Sequence, residues 1–110
     1  MKGLRNTIPA EPVNFLQRLG RNIRTARLRR KLRIEDVAER IGISRFTVAA
    51  MEQGNPTTSA ITYFSALWAL GLLAQAEELA DPDRDEEGKA LESARHPKQA
   101  PRRRTLDNDF

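Results

Sequence analysis

The chain has 110 residues, 39% of them apolar, and a net charge of +4, which suits one soluble domain with a modest core. It has no cysteine and a single histidine, so a disulfide framework is excluded, a zinc site is disfavoured, and no cofactor is expected. No run approaches the roughly 18 apolar residues of a membrane span, and the opening MKGLRNTIPAEPVNF lacks the apolar stretch of a signal peptide; the chain reads as cytoplasmic, with no membrane partner.

Residues 1–11 read as an N-terminal arm, because Pro9 and Pro12 bracket Ala10 and Glu11 and a residue before proline avoids the helical region. From Val13 the apolar residues Phe15, Leu16, Leu19, Ile23 and Ala26 recur at helical spacing, which predicts a first helix over about 12–31. The stretch RLGRNIRTARLRRKLR, residues 18–33, holds eight cations and no acid. Residues 1–80 carry 12 basic and 7 acidic residues, a net of +5, whereas residues 81–110 carry 7 and 8, a net of −1. A localised basic surface is the footprint of a polyanion binder, although a solvated helix face accounts for such a run as well.

IEDVAERI, residues 34–41, places Ile34, Val37, Ala38 and Ile41 on one helix face. Glu35 and Asp36 suit the positive end of its dipole, and Gly42 follows as a left-handed C-cap. Ser44 caps the next helix, whose inner side draws on Val48, Met51 and Ala49, and Gly54 ends it before the Asn55-Pro56 turn. A fourth helix starts at Thr58 or Ser59. Its apolar stripe is Ile61, Phe64, Leu67, Trp68 and Leu72, flanked by Tyr63 and Leu70. Gly71 interrupts it, and LLAQAEEL makes a fifth helix or extends the fourth. Residues 12–80 thus read as a compact all-α domain. After Asp81-Pro82 too few apolar residues occur to offset ordering entropy, so residues 81–110 read as a charged, disordered tail in which Glu86–Ala94 has transient helical propensity.

Two short helices joined by a glycine turn, with small Ala38 where they meet, form the helix-turn-helix layout over residues 34–54. LGRNIRTARLRRKLRIEDVAERIGISRFTVAAMEQG resembles the Cro/C1-type (XRE) helix-turn-helix domain over residues 15–73. The matching features are Leu19-Gly20, Ile23-Arg24, Arg27, Val37-Ala38, Ile41-Gly42-Ile43-Ser44, Thr47-Val48, Glu52 and Gly54. GNPTTSAITYFSALWALGLL is further similar to the HipB-type antitoxin branch. The resemblance implies a five-helix, lambda-repressor-like fold, double-stranded DNA as ligand, homodimers on an operator, and a HipA-family kinase toxin as partner. It also implies that Arg27 and Glu52 form a structural ion pair. The family usually opens its first motif helix with glutamine on the phosphate backbone. Here that position is Ile34, and the contact is lost or passes to Arg33 or, through water, to Glu35.

The candidate base readers are Arg45, Phe46, Thr47, Ala49 and Ala50 at the start and outer side of the second motif helix, where side chains enter the major groove. Arginine bonds guanine bidentately, or else meets a phosphate. Phe46 either presses on a thymine methyl or packs on the first motif helix. Arg24, Arg33, Ser44, Gln53 and Asn55 are candidate phosphate ligands. Phe64, Leu67, Trp68, Leu72 and Leu73 are core or dimer surface. No carboxylate pair, histidine partner or glycine-rich phosphate loop indicates an enzyme. Three functions fit: a repressor that is also an antitoxin, a free-standing regulator, and a protein-interaction module with an acidic partner.

Overall fold

Pro9 determines where the first helix begins. Its backbone is extended, with φ −64° and ψ 160°, and helix α1 (Ala10–Arg29) starts at the next residue. The structure is a computed structural model that describes residues 8–95. Residues 1–7 of the expected arm, and residues 96–110 of the expected tail with His96, Leu106 and Phe110, lie outside the described residues.

Helix α1 runs over 10–29 rather than 12–31. It stops early because Lys31 takes a left-handed φ of 57°, which costs a non-glycine residue about 1–2 kcal/mol. The reversal is closed by the Lys31 N–H donating to Leu28 O at 2.9 Å and the Leu32 N–H to Arg27 O at 3.2 Å. Arg30 Nη1 donates to Ala26 O at 2.9 Å, covering one of the last carbonyls. The turn lets Leu32 fold back against the core.

Helix α2 (Ile34–Ile41) is capped by Asp36, whose Oδ2 accepts the Arg33 N–H at 2.7 Å. It ends at Gly42, φ 76°, where the Gly42 and Ile43 N–H groups both donate to Ala38 O. Ser44 Oγ then accepts the Phe46 and Thr47 N–H groups at 3.1 and 3.2 Å and starts helix α3 (Arg45–Glu52). Helix α4 (Ala60–Ala69) follows Ser59. Past Gly71, the fifth helical element is a 3-10 helix, Leu73–Glu78.

The core joins Ile23 and Ala26 of α1, Val37 and Ala38 of α2, Val48 and Met51 of α3, and Tyr63, Ala66, Leu67 and Leu70 at α4. Full burial of side chains such as Ile23 and Met51 contributes about 1.5–3 kcal/mol each. Gly20 lets α1 reach the end of α3: a Cβ there would sit 2.6 Å from the Met51 and Glu52 carbonyl oxygens. Ala49 does not join the inner side with Val48 and Met51; it is half-buried.

Helix α4 turns only part of its expected apolar stripe inward. Ile61 is 69% exposed and Trp68 57%, whereas Thr62, Tyr63, Ala66, Leu67 and Leu70 face the core. The helix is apolar on both sides, so periodicity alone cannot choose the inner one. Two contacts decide it. Small Ala66 permits close approach with no exposed surface, and the buried Tyr63 hydroxyl donates to Asn55 O at 3.0 Å. Burial also raises the Tyr63 hydroxyl above the ordinary tyrosine range.

The described residues divide between a unit ending at Ala76 and one beginning at Glu77. The first part of the expected disordered tail is regular. Asp81 Oδ1 accepts the Asp83 N–H to cap a 3-10 turn, Pro82–Arg84, and Asp85 Oδ1 accepts the Gly88 N–H ahead of helix α5 (Glu86–Arg95). Glu86 and Glu87 lie at the positive end of α5 and Arg95 at its negative end, so local capping and dipole terms support this helix without a buried side chain. Among the described residues all regular structure is helical.

Candidate nucleic-acid interface

Helix α3 is fixed from behind before it offers anything outward. Val48 and Met51 are fully buried. Glu52, at its last turn, receives a two-pronged pair from α1: Arg27 Nε donates to Oε2 at 2.7 Å and Nη2 to Oε1 at 2.9 Å. Arg27 Nη1 donates to Leu32 O at 2.9 Å. Both charged side chains are buried. The Glu52 hydrogen bond raises the Arg27 pKa against the opposing effect of burial, so the guanidinium stays charged. One pair therefore joins α1, α3 and the turn before α2.

The outer side of α3 carries the expected reading residues. Phe46 is 73% exposed, and the Arg45 guanidinium lies over its ring, 5.1 Å from the centroid, within the range of a cation–π contact. Arg45 Nη1 also lies 3.5 Å from Glu35 Oε2 of α2. Phe46 does not pack into the motif's first helix; it stands out from the surface. Thr47 is half-buried with its Oγ1 3.4 Å from Ser44 Oγ, and Ala49 and Ala50 are half-buried. Beside this turn opens a groove of about 520 Å³ whose apolar lining includes Leu28, Leu32, Ile34 and Phe46.

The candidate phosphate ligands are less uniform. Arg24 and Gln53 are exposed. Arg33 is exposed too, but its Nη2 pairs with Asp36 Oδ1 at 3.2 Å. That hydrogen bond raises Arg33 further, and with the Arg33 N–H it holds the Asp36 carboxyl below the usual carboxylate range. Ser44 Oγ serves the helix cap. Asn55 Oδ1 accepts from the Thr57 N–H and hydroxyl, both at 2.8 Å, which leaves its amide nitrogen as the group able to donate outward. Ile34, in place of the family's usual glutamine, is half-buried and packs against the core, so it makes no polar contact there.

The remaining candidates are sorted by burial: Leu67 is core, Phe64 and Leu72 are half-buried, and Trp68 and Leu73 are exposed. Ile61, Phe64, Ser65, Trp68 and Leu73 line a second, shallower groove of about 210 Å³. Two features are not legible in the sequence. Leu28, 47% exposed, lies inside the basic run, where no spacing singles it out. The Glu35–Arg45 contact joins residues ten apart on different helices, a separation that no helical spacing pairs.

The sequence model described as a helix-turn-helix domain matches residues 18–85. The chain belongs to that family. Its match includes the two motif helices α2 and α3, the buried Arg27–Glu52 pair and all of α4. Membership in this family indicates a DNA-binding regulator. No curated protein and no solved structure matches the chain. No helix among the described residues is long and apolar enough to cross a membrane.

Proposed function

We propose that the protein is a sequence-specific transcriptional repressor that binds double-stranded DNA as a homodimer. The observation that carries this reading is the exposed first turn of α3, which presents Arg45 and Phe46 outward while Val48, Met51 and the Arg27–Glu52 pair hold the helix from within. Docked in a major groove, Arg45 reads a guanine edge and Phe46 meets a thymine methyl. Ala49 and Ala50 add shape rather than hydrogen bonds. With so few reading groups, the sequence-dependent form of the duplex carries part of the specificity. Arg24, Arg33, Ser44, Gln53 and Asn55 supply the phosphate side.

Dimerisation rests on the outer face of α4, where Ile61 and Trp68 stand exposed beside half-buried Phe64. Large apolar groups on a small domain favour a two-fold contact, which would space half-sites about 34–36 Å apart. The antitoxin role, with a HipA-like kinase as partner, rests on the resemblance of GNPTTSAITYFSALWALGLL to HipB-type proteins. A free-standing regulator is the alternative. A neighbouring kinase-like reading frame whose product co-purifies with this chain supports the antitoxin; its absence supports the free-standing regulator.

The DNA reading is tested by selecting a preferred site from a random duplex library with the full chain. Arg45→Ala is then compared on that site and on random duplex. Loss confined to the selected site supports base reading by Arg45. Equal loss on both makes Arg45 a phosphate contact.

A further inference from the structure

Glu35 is an acid placed where a polyanion is expected to dock. It lies on the first turn of α2, its side chain is 52% exposed, and its Oε2 is 3.5 Å from Arg45 Nη1. It borders the same groove as Arg45 and Phe46. Asp36, the neighbouring acid, is committed to capping the helix and to Arg33. Glu35 has no such duty, since its hydrogen bond is to Arg45. The Arg45 guanidinium is thus shared between a carboxylate on one helix and a ring on its own.

We propose that Glu35 is a specificity-determining residue that acts by positioning Arg45; this rests on the DNA-binding reading above. Two physical effects combine. The carboxylate repels phosphates approaching the α2–α3 face, and this penalty falls on every sequence alike. It also orients the guanidinium: Glu35 takes Nη1, so the other N–H groups of Arg45 face a base edge in a fixed direction. A phosphate can meet the fork bidentately too, but it brings a second anion against that carboxylate. A guanine presents O6 and N7 together without a formal charge, so the fork meets it with the pair intact. The pair is long and solvent-exposed, so it directs Arg45 while adding little to the stability of the fold. Glu35 therefore selects duplexes with guanine under Arg45 by weakening everything else.

The test uses the full chain, the duplex it selects from a random library, and a random duplex of equal length. Glu35→Gln keeps size and exposure but removes the charge. It should tighten binding to random duplex by about two- to fivefold, the range that exposed charge pairs span, with less change on the selected duplex. The ratio of the two affinities then falls. In an Arg45→Ala background the same substitution should leave the ratio unchanged, and Glu35→Asp in the intact chain should retain part of the wild-type ratio. Equal tightening on both duplexes with Arg45 present reduces Glu35 to a general repulsive charge and overturns the proposal. No change on either duplex overturns it too. Failure of the wild-type chain to bind any duplex overturns the DNA-binding reading itself, and is recognised before any variant is made.

Discussion

Glu52→Gln removes one negative charge and almost no volume. Arg27 would then keep its charge inside the protein, with one amide oxygen to accept and an amide NH2 facing one of its N–H donors. In the wild-type chain both guanidinium contacts are short, 2.7 and 2.9 Å, and both side chains are buried. Breaking such a pair from one side costs about 3–5 kcal/mol. A unit of this size has a total stability of about 4–11 kcal/mol, so the variant should be marginal at room temperature. Each kcal/mol corresponds to about 4–8 °C in Tm for a small domain, which puts the expected drop above about 12 °C. Urea and thermal unfolding followed by circular dichroism measure it. Arg27→Met with Glu52→Leu replaces the pair by apolar groups and should recover most of the loss, because the penalty is an unpaired charge rather than a missing attraction. A drop under about 1 kcal/mol for Glu52→Gln, or a double variant as damaged as the two single losses together, would refute the reasoning.

Other consequences are equally direct. Gly20→Ala raises helix propensity yet drives a methyl into the Met51 and Glu52 carbonyls, so it should destabilise by about 1–3 kcal/mol, measured by urea unfolding; a neutral or stabilised variant would contradict the close approach. Asp36 is held below its ordinary pKa by Arg33, so its contribution is present above the unfolded carboxylate pKa of about 3.9 and is lost as pH falls through the lower folded value. Asp36→Asn should remove part of the acid-induced loss of stability below about pH 4, seen as a flatter limb in the pH dependence of Tm. Trp68→Glu on the outer face of α4 should leave the monomer's fold intact by circular dichroism and shift sedimentation equilibrium towards monomer; an unchanged association constant would exclude that face as the dimer contact.

The turn around Gly42 was readable because its chemistry is local. A left-handed glycine, a serine cap and an apolar i, i+3, i+4, i+7 pattern each constrain the backbone within a few residues. The boundaries of α2 and α3 follow from them, and the resemblance supplied the Arg27–Glu52 partnership, which no spacing rule could. What stayed hidden depends on distant parts of the chain. The inner face of α4 is chosen by Ala66 and the Tyr63–Asn55 bond, not by hydrophobicity, since both faces are apolar. The end of α1 is set by a lysine accepting left-handed geometry, where sequence signals would ask for glycine. Helix α5 lies in a stretch too polar to fold by burial, and its regularity comes from Asp85 and charges placed along its dipole. The Glu35–Arg45 contact arises only when the motif's two helices are set side by side.

The measurement that tests the account most directly is the salt dependence of binding by the full chain to the duplex it selects. In the proposed homodimer, Arg24 and Arg33 from each protomer would make four cationic phosphate contacts, which would give log K falling against log salt with a slope of about −3.6. A slope of that size, with tighter binding to the selected than to random duplex at every salt concentration, is the predicted result. Binding that is absent at about 50 mM salt, or a slope flatter than about −1, would contradict the claim that this helix-turn-helix face grips DNA.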